Sequence, residues 1–110
     1  MKQYLIDELR LDDYEKLKQY LDDYLKSSSI DGVYWLTIPE ALLTETQMSH
    51  IDCQPYYFAV ELYEQSILCG LLVRTASSIR CHCIGYASVE QRNWLIDTID
   101  SIMEQNKIII

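Results

Sequence analysis

Two short pairs of potential metal ligands stand out in this 110-residue chain. His50 and Cys53 have two residues between them, and Cys81 and Cys83 have one. Structural zinc takes four nitrogen or sulfur ligands in a tetrahedron, often as two local pairs joined by the fold. Along an extended strand, the sulfurs of Cys81 and Cys83 would lie about 7 Å apart on one face, near the limit for one ion. An irregularity at Gly85 would relax that spacing. The four residues are therefore candidate ligands of a closed structural zinc site. The favoured interpretation is instead that Cys81 and Cys83 pack in the core and His50 lies in solvent.

Thiol catalysis is a weaker alternative. A cysteine nucleophile needs a nearby histidine and often a third group that orients it. Cys53 and Cys81 are the candidates for a thiol-dependent enzyme, but neither lies in a local signature of a known cysteine enzyme. Cys69 lies in an apolar stretch, where burial raises the pKa of a thiol and makes it inert. We expect no catalytic residues in the chain.

Composition and charge exclude several other function classes. The chain has 9 basic and 17 acidic side chains, a formal net charge of −8, and 3 glycines. This acidity disfavours nucleic acid and anionic membranes, both of which attract lysine and arginine. No glycine-rich phosphate loop is present, so no nucleotide is expected. No cofactor is expected, and zinc is the one alternative. The adjacent acids Asp12, Asp13, Asp22 and Asp23 are expected to be a solvated helix face.

Tyrosine is unusually frequent, with 9 residues against 1 phenylalanine. Its apolar ring and polar tip suit partly buried contact surfaces. Tyr20 and Tyr24 are expected at the edge of the first helix. Tyr57 and Tyr63 share a strand face with Glu61. These five residues are a possible interaction surface for a protein partner that carries basic groups.

Glu61 itself lies between apolar neighbours on that strand. Arg74 and Arg80 are its possible partners, although alternation is expected to place Arg74 on the opposite face. A structural ion pair or an exposed edge therefore accounts for Glu61 better than catalysis does.

The hydrophobic pattern predicts one α+β domain over residues 1–110. Its sheet is built on an antiparallel meander with one or two further strands, and helices pack against it. The N-terminal helix is predicted to be capped by Asp12 or Asp13, and the C-terminal helix opens with the capping-box pattern Ser88 to Gln91. The predicted strands are 56–63, 67–75 and 79–86, and the predicted helices are 12–26, 39–48 and 88–105. The separators between the strands are residues 64–66 and 76–78.

The middle strand of the meander is apolar on both faces, which is typical of a strand covered on both sides. Either the helices divide between the two sides of the sheet, or a second copy of the chain covers one side. The apolar tail at residues 107–110 must also dock, on a sheet edge or on a second subunit.

The first residues reach acids before any apolar stretch forms, so no secretory signal is expected and the protein is predicted to be cytoplasmic. Its four cysteines should then be thiols or metal ligands. The most favoured function is a small, acidic, non-catalytic protein-interaction domain, with a protein partner or a homodimer as its binding mode. The alternatives are the zinc protein and, less favoured, the thiol-dependent enzyme.

Overall fold

The computed structural model describes residues 2–75 and 84–109. The strands are β1 (Gln3–Ile6), β2 (Lys26–Ser27), β3 (Val33–Thr37), β4 (Tyr56–Tyr63), β5 (Ser66–Gly70) and β6 (Arg74–Thr75). The helices are α1 (Leu11–Tyr24), α2 (Glu45–Ser49) and α3 (Val89–Gln105), with 3₁₀ turns at Glu40–Leu42 and Ile51–Cys53. The predicted α+β fold is confirmed, with helices near both ends of the chain and a short one between them.

The strands form one antiparallel sheet in the order β1-β5-β4-β3-β2, and β6 pairs with β4 beside β5. β4 is the longest strand and lies at the centre, where most of its residues are buried. Hairpin connections join β4 to β5, as the meander prediction required. β1 then pairs with the outer edge of β5, where it is an edge strand.

The β4–β5 turn is one residue shorter than predicted. Tyr63 pairs directly with Ser66, so only Glu64 and Gln65 form the loop. A two-residue loop matches the right-handed twist of the flanking strands, which favours it over a longer one. The shift places Leu68 opposite Glu61 and therefore on the same face of the sheet.

The predicted strand 67–75 is interrupted, because β5 ends at Gly70 and β6 begins at Arg74. The intervening residues leave β4, and Leu72 forms a bridge with Tyr86. This irregularity resembles a β-bulge, which adds residues to one strand of a pair and bends it. The third strand is predicted over residues 79–86. Tyr86, at its C-terminal end, pairs with the preceding segment in antiparallel fashion as expected. Residues 79–83 lie outside the described part of the chain.

α1 begins at Leu11 and has Arg10 as its N-cap, so neither Asp12 nor Asp13 is the cap. Asp13 acts from the third helical position instead, where its Oδ2 accepts the backbone N–H of Arg10 at 3.0 Å. It also accepts from the Nε of the same arginine at 3.2 Å. Both bonds lower the pKa of Asp13, and the bond from the backbone N–H has the larger effect. The helix ends at Tyr24, two residues early, because the chain turns into β2 at Lys26.

The predicted middle helix 39–48 is divided into a 3₁₀ turn and α2. The cause is Thr44, whose side chain accepts the backbone N–H of Gln47 and so opens a new helix. The prediction for α3 holds to within one residue, with Ser88 as the N-cap and Gln91 completing the capping box.

α1 and α3 pack against the same face of the sheet. Their apolar residues join the inward side chains of the strands in one core, which includes Leu17, Leu21, Leu95, Ile99, Phe58, Val60 and Ile67. The Trp94 ring stacks on Phe58, with ring centroids 6.3 Å apart. The apolar tail also reaches this core, since Ile108 is buried there. The helices therefore do not divide between the two sides of the sheet.

The middle strand is accordingly covered unequally on its two faces. Ile67 and Cys69 are buried on the helix side. Leu68 and Gly70, on the other side, are half-buried. Within residues 2–75 and 84–109, no helix is both long and apolar enough to cross a membrane.

Candidate functional site

The sheet face opposite the helices carries a row of apolar and aromatic side chains. Pairing aligns Val33, Glu61, Leu68 and Leu5 across four neighbouring strands. Alternation puts Trp35, Tyr57, Ala59 and Tyr63 on the same side. Leu5 and Tyr63 are 47% and 50% exposed, and Val33, Trp35, Glu61 and Leu68 are half-buried. We call this set of side chains the open sheet face: Leu5, Val33, Trp35, Tyr57, Ala59, Glu61, Tyr63 and Leu68.

Aromatic contacts organise the end of the open sheet face near β2. The rings of Trp35 and Tyr57 are 5.9 Å apart between centroids. The ammonium of Lys26 lies 5.9 Å from the centroid of the Tyr57 ring, within range of a cation–π interaction. Tyr57 is buried by these neighbours, whereas Trp35 is half-buried.

At the other end, the hydroxyl of Tyr63 donates a 2.7 Å hydrogen bond to Oε1 of Glu61. The bond raises the pKa of Tyr63, because it stabilises the protonated phenol beside a carboxylate. The prediction that alternation separates Arg74 from Glu61 is wrong. Arg74 pairs with Tyr57, and the two-residue turn brings it to the face that carries Glu61. It is nonetheless four positions along β4 from Glu61, too far for an ion pair.

The predicted interaction residues divide between two sides of the molecule. Tyr57, Glu61 and Tyr63 lie on the open sheet face. Tyr20 and Tyr24 lie on the helix side, where their rings are in contact, with centroids 4.6 Å apart and planes tilted by 35°. They line a cleft of about 370 Å³ between α1 and α3, beside Leu36 and Asp97. One flat partner surface therefore cannot touch all five residues.

Half of the predicted zinc site is described. His50 ends α2 and is half-buried, and Cys53 is buried three residues later. The Cys53 backbone N–H donates to the His50 carbonyl at 3.0 Å, so a single tight turn holds both residues. Cys81 and Cys83 lie outside the described residues. In the described ranges, no three His, Cys, Asp or Glu side chains come together as a metal site.

Cys69 is the buried thiol that the sequence predicts. It is 0% exposed, and burial, followed by the charge of Glu61, raises its pKa to about 12. A thiol with that pKa is protonated at neutral pH and is a poor nucleophile. Cys53 is likewise buried, packed in the core cluster.

One of the acids expected on a solvated face is buried, and a second is exposed as expected but makes a structural contact. Asp13 is buried by its contacts with Arg10. Asp22 accepts a 2.5 Å hydrogen bond from the hydroxyl of Tyr34, whose ring lies in the core. Lys18 bonds to the same carboxylate at 3.2 Å. This cluster attaches α1 to β3 and is structural.

Sequence reasoning did not identify Leu5, Val33 and Leu68 as members of the open sheet face. Each is an apolar residue in a strand, and such residues are ordinarily assigned to the core. Their position beside Glu61 follows from the strand order and the register of the hairpin, neither of which the apolar pattern specifies. Comparison of this chain with protein-family models, curated proteins and solved structures finds no significant match.

Proposed function

We propose that this chain is a small, acidic, cytoplasmic protein-interaction domain without a catalytic centre, and that it forms a homodimer through its open sheet face. The observation that supports the homodimer is that α1 and α3 occupy the same side of the sheet. Half-buried apolar residues on the other side would be removed from water by a second copy.

Charge favours this face over the rest of the surface. Two copies of a chain with a net charge of −8 repel each other, so a stable contact needs a region of low charge. The open sheet face carries Glu61, and Lys26 and Arg74 border it through their pairing with Trp35 and Tyr57. In a two-fold contact each surface meets itself, so the carboxylate of one copy would face the basic groups of the other.

The cytoplasmic assignment is supported by Cys69. This buried cysteine is a free thiol in the described part of the chain, as is usual in a reducing compartment.

Sedimentation equilibrium with a matched pair of variants tests the homodimer. Leu68→Lys places a charge in the centre of the open sheet face. Leu11→Lys places the same charge at an exposed apolar position of α1, which is 68% exposed and lies on the helix side. We expect wild type and Leu11→Lys to be dimers and Leu68→Lys to be a monomer.

A second variant of the open sheet face, Val33→Lys, distinguishes loss of the dimer from a local folding defect caused by Leu68→Lys. Circular dichroism confirms that each variant is folded before its mass is interpreted. A wild-type protein that stays monomeric at all concentrations, or an open-face variant that dimerises as wild type does, contradicts the homodimer.

A structural zinc site at His50, Cys53, Cys81 and Cys83 is the second candidate. The turn that holds His50 and Cys53 together favours it, because structural zinc sites commonly use such local ligand pairs. Elemental analysis of protein purified without chelator or affinity metal tests it. Stoichiometric zinc that is lost in Cys53→Ser and Cys83→Ser, but retained in Cys69→Ala, supports the site, and metal-free wild type refutes it.

A further inference from the structure

A second feature of the surface is a cleft of about 410 Å³ between β1 and the C-terminal half of α3. β1 contributes Tyr4, Leu5 and Ile6 to its wall. Met103 and Ile108 also line it, and both are buried apolar residues. The next residue, Ile109, is 84% exposed, so the described part of the tail does not fill the cleft.

The position of Ile108 follows from how α3 ends. Lys107 adopts a left-handed conformation with φ of 57°. The Ile108 backbone N–H then donates to the Met103 carbonyl at 2.9 Å, and the Lys107 N–H donates to the Glu104 carbonyl at 3.0 Å. This pair of bonds is a Schellman motif, which packs the residue after the turn back against the last helical turn. The apolar floor of the cleft is therefore preformed.

The outer edge of β1 offers backbone hydrogen-bonding groups along the cleft. The Lys2 carbonyl accepts from the Leu71 backbone N–H at 3.1 Å. Because antiparallel pairing alternates, Tyr4 and Ile6 then direct their backbone groups to β5, and Gln3 and Leu5 direct theirs outward. No other described strand pairs with this edge. An extended chain laid along β1 would find a donor and an acceptor at Leu5.

The rim of the cleft is acidic. Asp7, Asp100 and Glu104 line it, and none of the described lining residues is basic. Asp100 is held in place by the Tyr4 hydroxyl, which donates to its Oδ1 at 2.5 Å. The rim carboxylates stand above an apolar floor, so the cleft suits a side chain with an apolar stem and a cationic head.

We infer that this cleft binds an extended basic segment of another protein, which adds to the sheet as a strand beside β1. Alternate side chains of such a strand would enter the cleft, where lysine or arginine would meet Asp7, Asp100 and Glu104. A second copy of this chain is a poor occupant, because pairing β1 with β1 would bring two acidic rims together. This inference rests on the proposed function, since it names the partner of an interaction domain.

The test uses a short fluorescein-labelled peptide that alternates lysine and valine, with binding followed by fluorescence anisotropy. Three control peptides separate strand addition from simple charge attraction. One replaces lysine with glutamate, one has proline at its centre, and one has the same composition with its lysines in a block. We expect the alternating lysine peptide to bind and each control to bind at least about tenfold more weakly, a difference of about 1.4 kcal/mol.

Two matched pairs of protein variants locate the site. Glu104→Lys changes the rim, and Glu40→Lys makes the same change in net charge at an exposed position near the other end of α3. We expect about tenfold weaker binding for Glu104→Lys and unchanged binding for Glu40→Lys. Leu5→Pro removes the outward N–H of an edge strand, where proline is tolerated, whereas Leu5→Val keeps it. Binding should be lost in Leu5→Pro and retained in Leu5→Val.

The inference is overturned if wild type binds no peptide, if the block-lysine peptide binds as well as the alternating one, or if Leu5→Pro binds like Leu5→Val. The sedimentation variants change Leu68 and Val33, which do not line the cleft, and Glu104→Lys changes a residue outside the open sheet face, so these two tests are independent. Leu5 belongs to both surfaces, so Leu5→Pro is not used to judge the homodimer. A dimer that binds no peptide would refute the cleft and leave the proposed homodimer intact. Peptide binding by a protein that stays monomeric would refute the homodimer and leave the cleft proposal intact.

Discussion

The side-chain amide of Gln91 donates a 2.7 Å hydrogen bond to the side-chain oxygen of Gln47, and both residues are buried. Each glutamine also completes the capping box of its own helix, Gln47 with Thr44 and Gln91 with Ser88. One bond thus couples the starts of α2 and α3, which are 44 residues apart in the chain. A second bond from Gln91, to the Leu42 carbonyl at 2.9 Å, attaches the same helix to the preceding 3₁₀ turn.

Replacing Gln91 with alanine should lower the free energy of unfolding by about 2 kcal/mol, because it leaves buried acceptors without a donor. Gln105→Ala, at an exposed position of the same helix, is the control and should change it by less than about 0.5 kcal/mol. Urea unfolding at a fixed protein concentration measures both. A double-mutant cycle with Gln47→Ala should give a coupling energy above about 0.5 kcal/mol. Additive effects would contradict the coupling.

Local signals account for the parts of the fold that sequence reasoning predicts well. Ser88 and Gln91 stand at capping-box spacing before a helical stripe, and α3 begins where they indicate. Thr44 and Gln47 have the same spacing, so the division of the middle helix was also open to prediction. The bond between Gln47 and Gln91 was not, because it depends on how distant segments pack.

The open sheet face could likewise be predicted only in part, because local sequence signals do not specify how distant segments pack. Alternation along β4 correctly groups Tyr57, Glu61 and Tyr63 on one face. It does not indicate that α1 and α3 both lie on the other side, which leaves that face open. A one-residue error in the turn at Glu64 and Gln65 was enough to misplace Arg74, because each step of register exchanges the two faces.

Asp13 should make folding stability depend on pH. The hydrogen bonds from Arg10 lower its pKa in the folded protein, so it stabilises the fold above its unfolded pKa of about 4. That contribution is lost as the pH falls through the lower, folded pKa. Asp13→Asn should therefore be less stable than wild type at neutral pH, and the difference should shrink below about pH 4. Denaturation at a series of pH values measures this.

Asp12→Asn is the matched control for that measurement, since it removes a charge from the same helical turn at an exposed position. Its loss of stability at neutral pH should be smaller. If the two variants are equally destabilised, the hydrogen bonds of Asp13 contribute nothing beyond a charge at the start of the helix.

Lys107→Gly should stabilise the protein by about 1 kcal/mol. Lys107 adopts a φ of 57°, which strains a residue with a Cβ and which glycine accepts readily. Lys107→Ala removes the same charge but keeps the Cβ, so it should give no such gain. Thermal unfolding of the two variants decides between them, and equal melting temperatures would show that the left-handed turn after α3 is not strained.

Tryptophan fluorescence during dilution tests the central claim, that copies of the chain associate through the open sheet face, most directly. The chain has 2 tryptophans; Trp35 lies on the open sheet face, and Trp94 stacks on Phe58 on the helix side. Trp94→Phe leaves Trp35 as the reporter, and Trp35→Phe leaves Trp94 as the control. We expect the emission of Trp35 to shift to the blue as concentration rises and the dimer forms, while that of Trp94 stays constant. A change in mass with no shift at Trp35, or a shift at Trp94 instead, would contradict the account.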